Sequence, residues 1–348
     1  MFNLSAKRLI NIQRNARAVF AKRLVNVSNR KPFDPRRISS SSADIMIVGG
    51  STTNKRITRF LYPSLASLPV PGSQPEGGVN AVAISPNKKL LAVAHGTTPF
   101  ISIYRLPSFA EVATPVTLPA GTANGIAWSP DGTLLAVAHS TTPFVTIYQT
   151  SDWSKLPDPG TLPASNGQDV AFSPDGTILS VVHNTTPFIT NYTVATWAKI
   201  ADPASLPAGN ARGVSYSPDG VTASVAHALT PFVTNYTVSG WVKIADPASL
   251  PASTGNRTTY SPDGTLMAVA HATTPFVTIY TVTGWVKIAD PASLPAGEAN
   301  GVRFSPDGKK LAVAHTTAPC VTVYTVASWL SETLPGLSTG SNGVAFKT

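Results

Sequence analysis

The stretch SPDGTLLAVAHSTTPFVTIY, Ser129 to Tyr148, decides the fold. S-P-D-G puts Pro at the second and Gly at the fourth position of a type I turn. TLLAVAH then reads as a strand, the polar STTP as a second turn, and FVTIY as a further strand rich in β-branched and aromatic residues. The same pattern returns along the chain in steps of 44 residues: His95, His139, His183, His227, His271 and His315 are the only six histidines. Tyr104 to Tyr324 and the Ser-Pro pairs from Ser85 to Ser305 keep the same step. A period of about 40 to 45 residues belongs to four-stranded propeller blades. Helical repeats would not tolerate five prolines in one unit, the number between Ser129 and Phe172.

Around this core of the repeat, NGIAW (Asn124–Trp128) reads as a first strand, and WSKLPDPGTLPA as a short fourth strand running into a proline-broken loop. In later repeats that segment is WVKIADPASLPA, and its Lys and Pro residues suit an outer edge strand that must not pair with another molecule. Six complete units end near Asn342, yet the chain continues with NGVAFKT, a first strand with nothing after it. The missing strands are at the other end: Ile45 to Phe60 aligns with LLAVAHGTTPFISIY, with Gly50 in the histidine column, and YPSLASLPV supplies an outer strand. The expected fold is therefore all-β: a seven-bladed β-propeller over residues 44–348, with six 44-residue blades and one composite blade closed by the C-terminal strand. Closing the ring in this way removes the open edges of a linear array. A basic, partly helical arm with a Ser-rich link occupies residues 1–43.

SPDG followed by an L-A-V-type strand resembles the WD-repeat-like propellers and their bacterial and phage relatives, and the likeness covers residues 79–346. The Gly-His and Trp-Asp pairs of true WD repeats are replaced here by Asn-Gly and Tyr, so their hydrogen-bond network does not carry over. Near-identical tandem units of this type look like the propellers of tailed-bacteriophage virion proteins. That resemblance implies a structural protein of a phage particle.

Charge and composition narrow the function. Only 12% of residues are charged, while 31 Pro and 25 Gly favour short strands and tight turns. Ten of the 26 Lys and Arg lie in residues 1–37 against one of the 17 acids, Asp34, so the arm carries the whole net charge of +9 and the remainder is neutral. The single cysteine, Cys320, excludes an intrachain disulfide framework, and it fills the column of Phe100 and Phe144 as a buried apolar residue. No apolar run of about 18 residues is present to span a membrane. Charge also interrupts the arm before a secretory signal core can form.

The candidate residues fall into three groups. Six histidines on a fixed step could be metal ligands, catalytic bases, a pH switch or one structural hydrogen bond copied six times. Ligands related by the blade repeat converge only on the axis, and second-strand residues lie away from it, so the structural reading is expected, with the backbone of a nearby loop as partner and acid sensitivity as its corollary. The second group breaks the repeat: Asp169 and Arg257 where other blades have Gly, Arg212 where others have Asn or Gln, Glu298, and Arg303 where others have Ala, Ser or Thr. These are expected in the loops before each first strand, as candidate contacts on a propeller face. The third is the arm, where Leu9, Ile12, Ala16, Phe20, Leu24 and Val27 recur at three or four among Lys7, Arg8, Arg14, Arg17, Lys22 and Arg23, a basic amphipathic helix.

No phosphate loop, nucleophile elbow or H-E-x-x-H motif is present, and no cofactor, metal or catalytic residue is expected. The expected function is non-enzymatic: a virion component of tail, fibre or capsid surface, its arm anchored to other protein subunits or touching a polyanion, its propeller meeting protein or host surface. The alternative is an organellar or cytosolic scaffold whose arm is a mitochondrial-type import sequence, with a propeller lactonase or hydrolase third.

Overall fold

The computed structural model describes residues 45–50, 57–62, 64–69, 72–112, 114–334 and 340–347. The basic arm with its expected helix, and the Ser-rich link from Ile38 to Asp44, lie outside these residues.

Seven antiparallel sheets form, each a propeller blade running from an inner to an outer strand. Blade 1 contains Val79–Ile84, Leu90–His95, Ile101–Arg105 and Ala110–Glu111. Blades 2 to 6 repeat this order, with inner strands Ala123–Trp128, Gly167–Phe172, Ala211–Tyr216, Gly255–Tyr260 and Ala299–Phe304. Blade 7 is the expected composite: Ser341–Lys347 is its inner strand, followed outward by Ile45–Gly50, Ile57–Leu61 and Ala66–Leu68. Its closing register pairs Val48 with Val344 and Met46 with Phe346. The Ser341 hydroxyl adds a bond to the Gly49 carbonyl at 2.9 Å.

Period-two alternation in the second strand builds the core. In blade 2, Leu135 and Val137 face one side with Tyr148, and pack against Ala92, Ala94, Ile101 and Ile103 of blade 1. The other side of the same blade, Ala136, Ala138, Val145 and Ile147, meets Leu179, Val181 and Tyr192 of blade 3. A face of small and β-branched side chains thus receives a face of larger ones at each interface, and each fully buried Leu, Val or Ile contributes about 1.5–3 kcal/mol. Blade 7 is wedged in the same way. Phe60, Val344 and Phe346 pack on Ala312, Val321 and Val323 of blade 6. Ile47 and Ile57 pack on Val82, Leu91 and Tyr104 of blade 1.

Turn chemistry is copied with equal fidelity. The Ser129 hydroxyl donates to Asp131 Oδ1 at 2.6 Å and accepts the Leu134 N–H at 2.9 Å, while Gly132 takes the left-handed φ of 74° that the turn requires. In five blades the third-strand tyrosine reaches the segment entering its own blade, as Tyr148 donates to the Thr117 carbonyl at 2.8 Å.

The fourth strand is shorter than its sequence suggests. In blades 2, 3 and 5 it shrinks to single bridges, Tyr148–Lys155, Tyr192–Lys199 and Tyr280–Lys287. The chain enters it through a tryptophan in left-handed conformation (Trp153, φ 61°) and soon meets prolines that cannot donate to a ladder. Cys320 is fully buried. No helix among the described residues is long and apolar enough to cross a membrane.

Candidate functional site

Each histidine ends a second strand and is fully buried. Its Nε2 meets a hydroxyl seven residues on, in the third strand of the same blade: Ser102 for His95 at 3.2 Å, and Thr146, Thr190, Thr234, Thr278 and Thr322 for the others at 2.9–3.0 Å. This side chain joins the loop backbone expected as partner, which acts on the same rings through Thr141 and its counterparts. The alternation brings the hydroxyl there, because His139 and Thr146 lie on the same face of adjacent paired strands. Burial pushes the imidazoles of His139, His183, His227 and His271 down to about 4, against the weaker opposing pull of backbone carbonyls. His95 and His315 shift in the same direction for the same cause. Among the described residues, no three His, Cys, Asp or Glu side chains are grouped to hold a metal ion.

The inner strands line a central channel to which all seven blades contribute. Their second residues form a ring, Asn80, Asn124, Gln168, Arg212, Asn256, Asn300 and Asn342, around a cavity of about 430 Å³. Most ring members stitch one blade to the next. The Nδ2 groups of Asn80, Asn124 and Asn256 donate to the Ala123, Gly167 and Ala299 carbonyls at 2.8–2.9 Å. Asn342 donates to the Val79 carbonyl at 3.1 Å and so completes the circle across the composite blade. Sequence reasoning singled out Arg212 as a departure from this column but gave its Asn and Gln members no role, reading the Asn-Gly pair only as a replacement for the WD-repeat Gly-His. Its recurrence one residue into each first strand was the available signal.

Four of the repeat-breaking residues, Asp169, Arg212, Arg257 and Arg303, line this channel from inner strands, which corrects their expected placement in outer-to-inner loops; Glu298 stays in such a loop, immediately before an inner strand. The first strand begins earlier than its apolar residues suggest, since a bulge separates its first and third paired positions.

Arg257, at the third position of blade 5, spans the channel. Its guanidinium donates to the Arg212 carbonyl, to the Asn256 carbonyl at 3.1 Å, and more weakly to the Asn124 and Gln168 carbonyls at 3.5 Å. Its Nε lies 3.7 Å from Asp169 Oδ2. Asp169 also accepts the Val214 N–H at 3.2 Å. Burial pushes the Asp169 carboxyl above its usual range, opposed first by the Arg257 charge. At both residues the backbone approaches a glycine of the preceding blade: a Cβ on Gly125 would stand 2.6 Å from Asp169 Cα, and one on Gly213 would stand 2.8 Å from Arg257 Cα. Arg212 donates to Asn256 Oδ1 at 3.0 Å, and Glu298 accepts from Asn256 Nδ2 at 3.2 Å. Four of the five residues are thus joined through Asn256 and Arg257. Arg303 stands apart from them, bonded to none.

A buried polar device also escaped the sequence reading. Where the inner-strand aromatic is tyrosine, the blade before it carries Ser and Asn in place of Ala136 and Ile147. Tyr216 meets Ser180 at 2.5 Å, which donates to Asn191, and Tyr260 meets Ser224, which donates to Asn235. Correlated replacement in successive repeats was the signal, visible only when neighbouring repeats are compared as pairs.

With this geometry in place, likeness to known proteins can be stated. The family model of the eukaryotic translation initiation factor eIF2A matches residues 71–197. No curated protein matches the chain. Among solved structures, a functionally unknown protein from Desulfotomaculum acetoxidans superposes with a TM-score of 0.68 at 15% identity, covering 88% of this chain and 99% of that one. A candidate 6-phosphogluconolactonase from Bacteroides fragilis gives 0.65 at 16% identity, with 89% and 99% covered. Hydrazine synthase from Kuenenia stuttgartiensis gives 0.62 at 17%, with 76% and 83% covered. At such identities the likeness is one of fold, and the chain is a seven-bladed β-propeller.

Proposed function

We propose that this chain is a non-catalytic propeller subunit of a larger assembly, a virion component of a tailed bacteriophage, attached through its basic arm and presenting the propeller to another protein or to a host surface. The observation that carries the reading is the partition of charge: residues 1–37 hold the entire +9, while the propeller is neutral and repeats one structural unit. The histidines, the commonest general bases, are buried in hydrogen bonds within their own blades, and none lines the channel cavities. In the full chain, replacing Lys7, Arg8, Arg14 and Arg17 together with Gln is expected to reduce incorporation into particles, with a weaker dependence on salt. Incorporation equal to that of the unaltered chain at every salt concentration would overturn the anchoring role.

A propeller hydrolase is the second reading, favoured by Asp169, a blade-specific carboxylate held in a central cavity. Hydrolysis of a lactone panel, lost in Asp169→Asn, would establish it in place of the first.

A further inference from the structure

Beyond Arg257 the channel holds a chamber of about 370 Å³, bounded by the ends of the inner strands and by Pro86, Pro174 and Pro218 of the turns that follow them. At the fifth inner-strand position six blades place a small residue, Ala83, Ala127, Ala171, Ser215, Thr259 and Ala345; blade 6 places Arg303. We propose that this chamber binds a small oxyanion, a carboxylate or phosphate, received by the Arg303 guanidinium.

The contrast between the two channel arginines carries the inference. Arg257 is saturated: backbone carbonyls of blades 2, 3, 4 and 5 and the Asp169 carboxylate surround it. Arg303 lines the same channel with no hydrogen bond and no ion pair within 4 Å among the described residues, and its one electrostatic partner there is Asp169, already engaged by Arg257. Five N–H donors in a fixed fork therefore face the chamber unused. Arg303 is open to solvent within the channel, and desolvation by the surrounding protein lowers its pKa against the opposing Asp169 charge; an anion in the fork exchanges water contacts for charge-assisted hydrogen bonds. The charged groups lining the chamber are two guanidinium ions and one carboxylate, which leaves a positive excess. The Thr259 hydroxyl, on the adjacent blade, lines the chamber and has no hydrogen-bond partner among the described residues. The volume admits several water molecules or one small polyatomic anion.

The test uses the full chain, titrated separately with inorganic phosphate and malonate at constant ionic strength against chloride, with melting temperature and calorimetric heat as readouts. A saturable response to phosphate, malonate or both, absent with chloride, is expected, and the pattern tells which oxyanion chemistry fits. Arg303→Gln should weaken that response by about ten- to a hundredfold, the loss expected for charge-assisted hydrogen bonds. Lys309→Gln, which removes an exposed cation, should leave it unchanged. Because Arg303 makes no bond to the described residues, the Gln variant should melt no lower than the unaltered chain without anion; should it fail to fold, Arg303→Lys, which keeps the charge but loses the fork, supplies the comparison. Absence of a saturable response, or an equal response in the Arg303 variant, which would place the anion on the basic arm, overturns the proposal.

Discussion

Lowering the pH from 7 to 5 should strongly destabilise the propeller through its histidines. His139, His183, His227 and His271 hold their charge off until about pH 4 in the folded chain, whereas the ordinary imidazole value is 6.5. Between these limits the unfolded chain takes up protons that the folded chain refuses, so the stability tied to neutral histidine is fully present above pH 6.5 and is lost as pH falls toward 4. At pH 5 each histidine forfeits about 2 kcal/mol, about 8 kcal/mol for the four, by proton linkage. Total stabilities of folded domains are roughly 5–15 kcal/mol, so this loss is comparable to the whole and should show as a steep fall in urea resistance. The aspartates of the S-P-D-G turns belong to a separate window: hydrogen bonds from Ser129 and its counterparts lower their pKa below the ordinary 3.8, so their contribution is lost only in more acid solution. Urea midpoints measured in half-unit steps from pH 7.5 to 4.5 give the proton uptake directly. His183→Gln, which keeps a polar group against Thr190, should lower the slope by about one proton, or about 1.4 kcal/mol per pH unit. Stability that stays level from pH 7 to 5, or a slope unchanged in the variant, would refute the linkage.

The composite blade makes the C-terminal strand essential: deleting Ser341 to Thr348 removes the bonds to Gly49 and Val79 and the buried Val344 and Phe346, and Phe346→Ala alone should cost about 3–5 kcal/mol in urea unfolding. Arg257→Met strands the Asp169 carboxylate and should destabilise by about 3–5 kcal/mol. Adding Asp169→Gly, the residue found in this column in blades 2, 4, 6 and 7, should recover most of that loss, as read from melting temperatures of the single and double variants.

Much of this was legible because a repeat supplies its own alignment. The 44-residue step, the S-P-D-G turn and the orphan strand NGVAFKT required seven blades and a composite closure, since an unpaired first strand at one end and strands lacking an inner partner at the other can satisfy their backbone groups only together. The short outer strand was legible in kind but not in extent, because one bridge or four paired residues depend on how the Trp153 turn and its counterparts sit, which local propensity does not specify. The hydroxyl partners of the histidines were missed for a related reason: position within a strand gives the face, but the hydroxyl that meets His139 is chosen by register with the third strand.

The channel was least legible. Asp169, Arg257 and Arg303 stood out as departures from the repeat, yet nothing along the chain says that residues 88 and 46 apart share one cavity, or that Arg257 finds its acceptors while Arg303 does not. Periodicity, a one-dimensional property written into each unit, determined the blade, its turns and their number. Closing the ring decided the rest, because it alone brings side chains from non-neighbouring blades to a common axis, where pairing depends on distance and occupied space rather than on sequence separation.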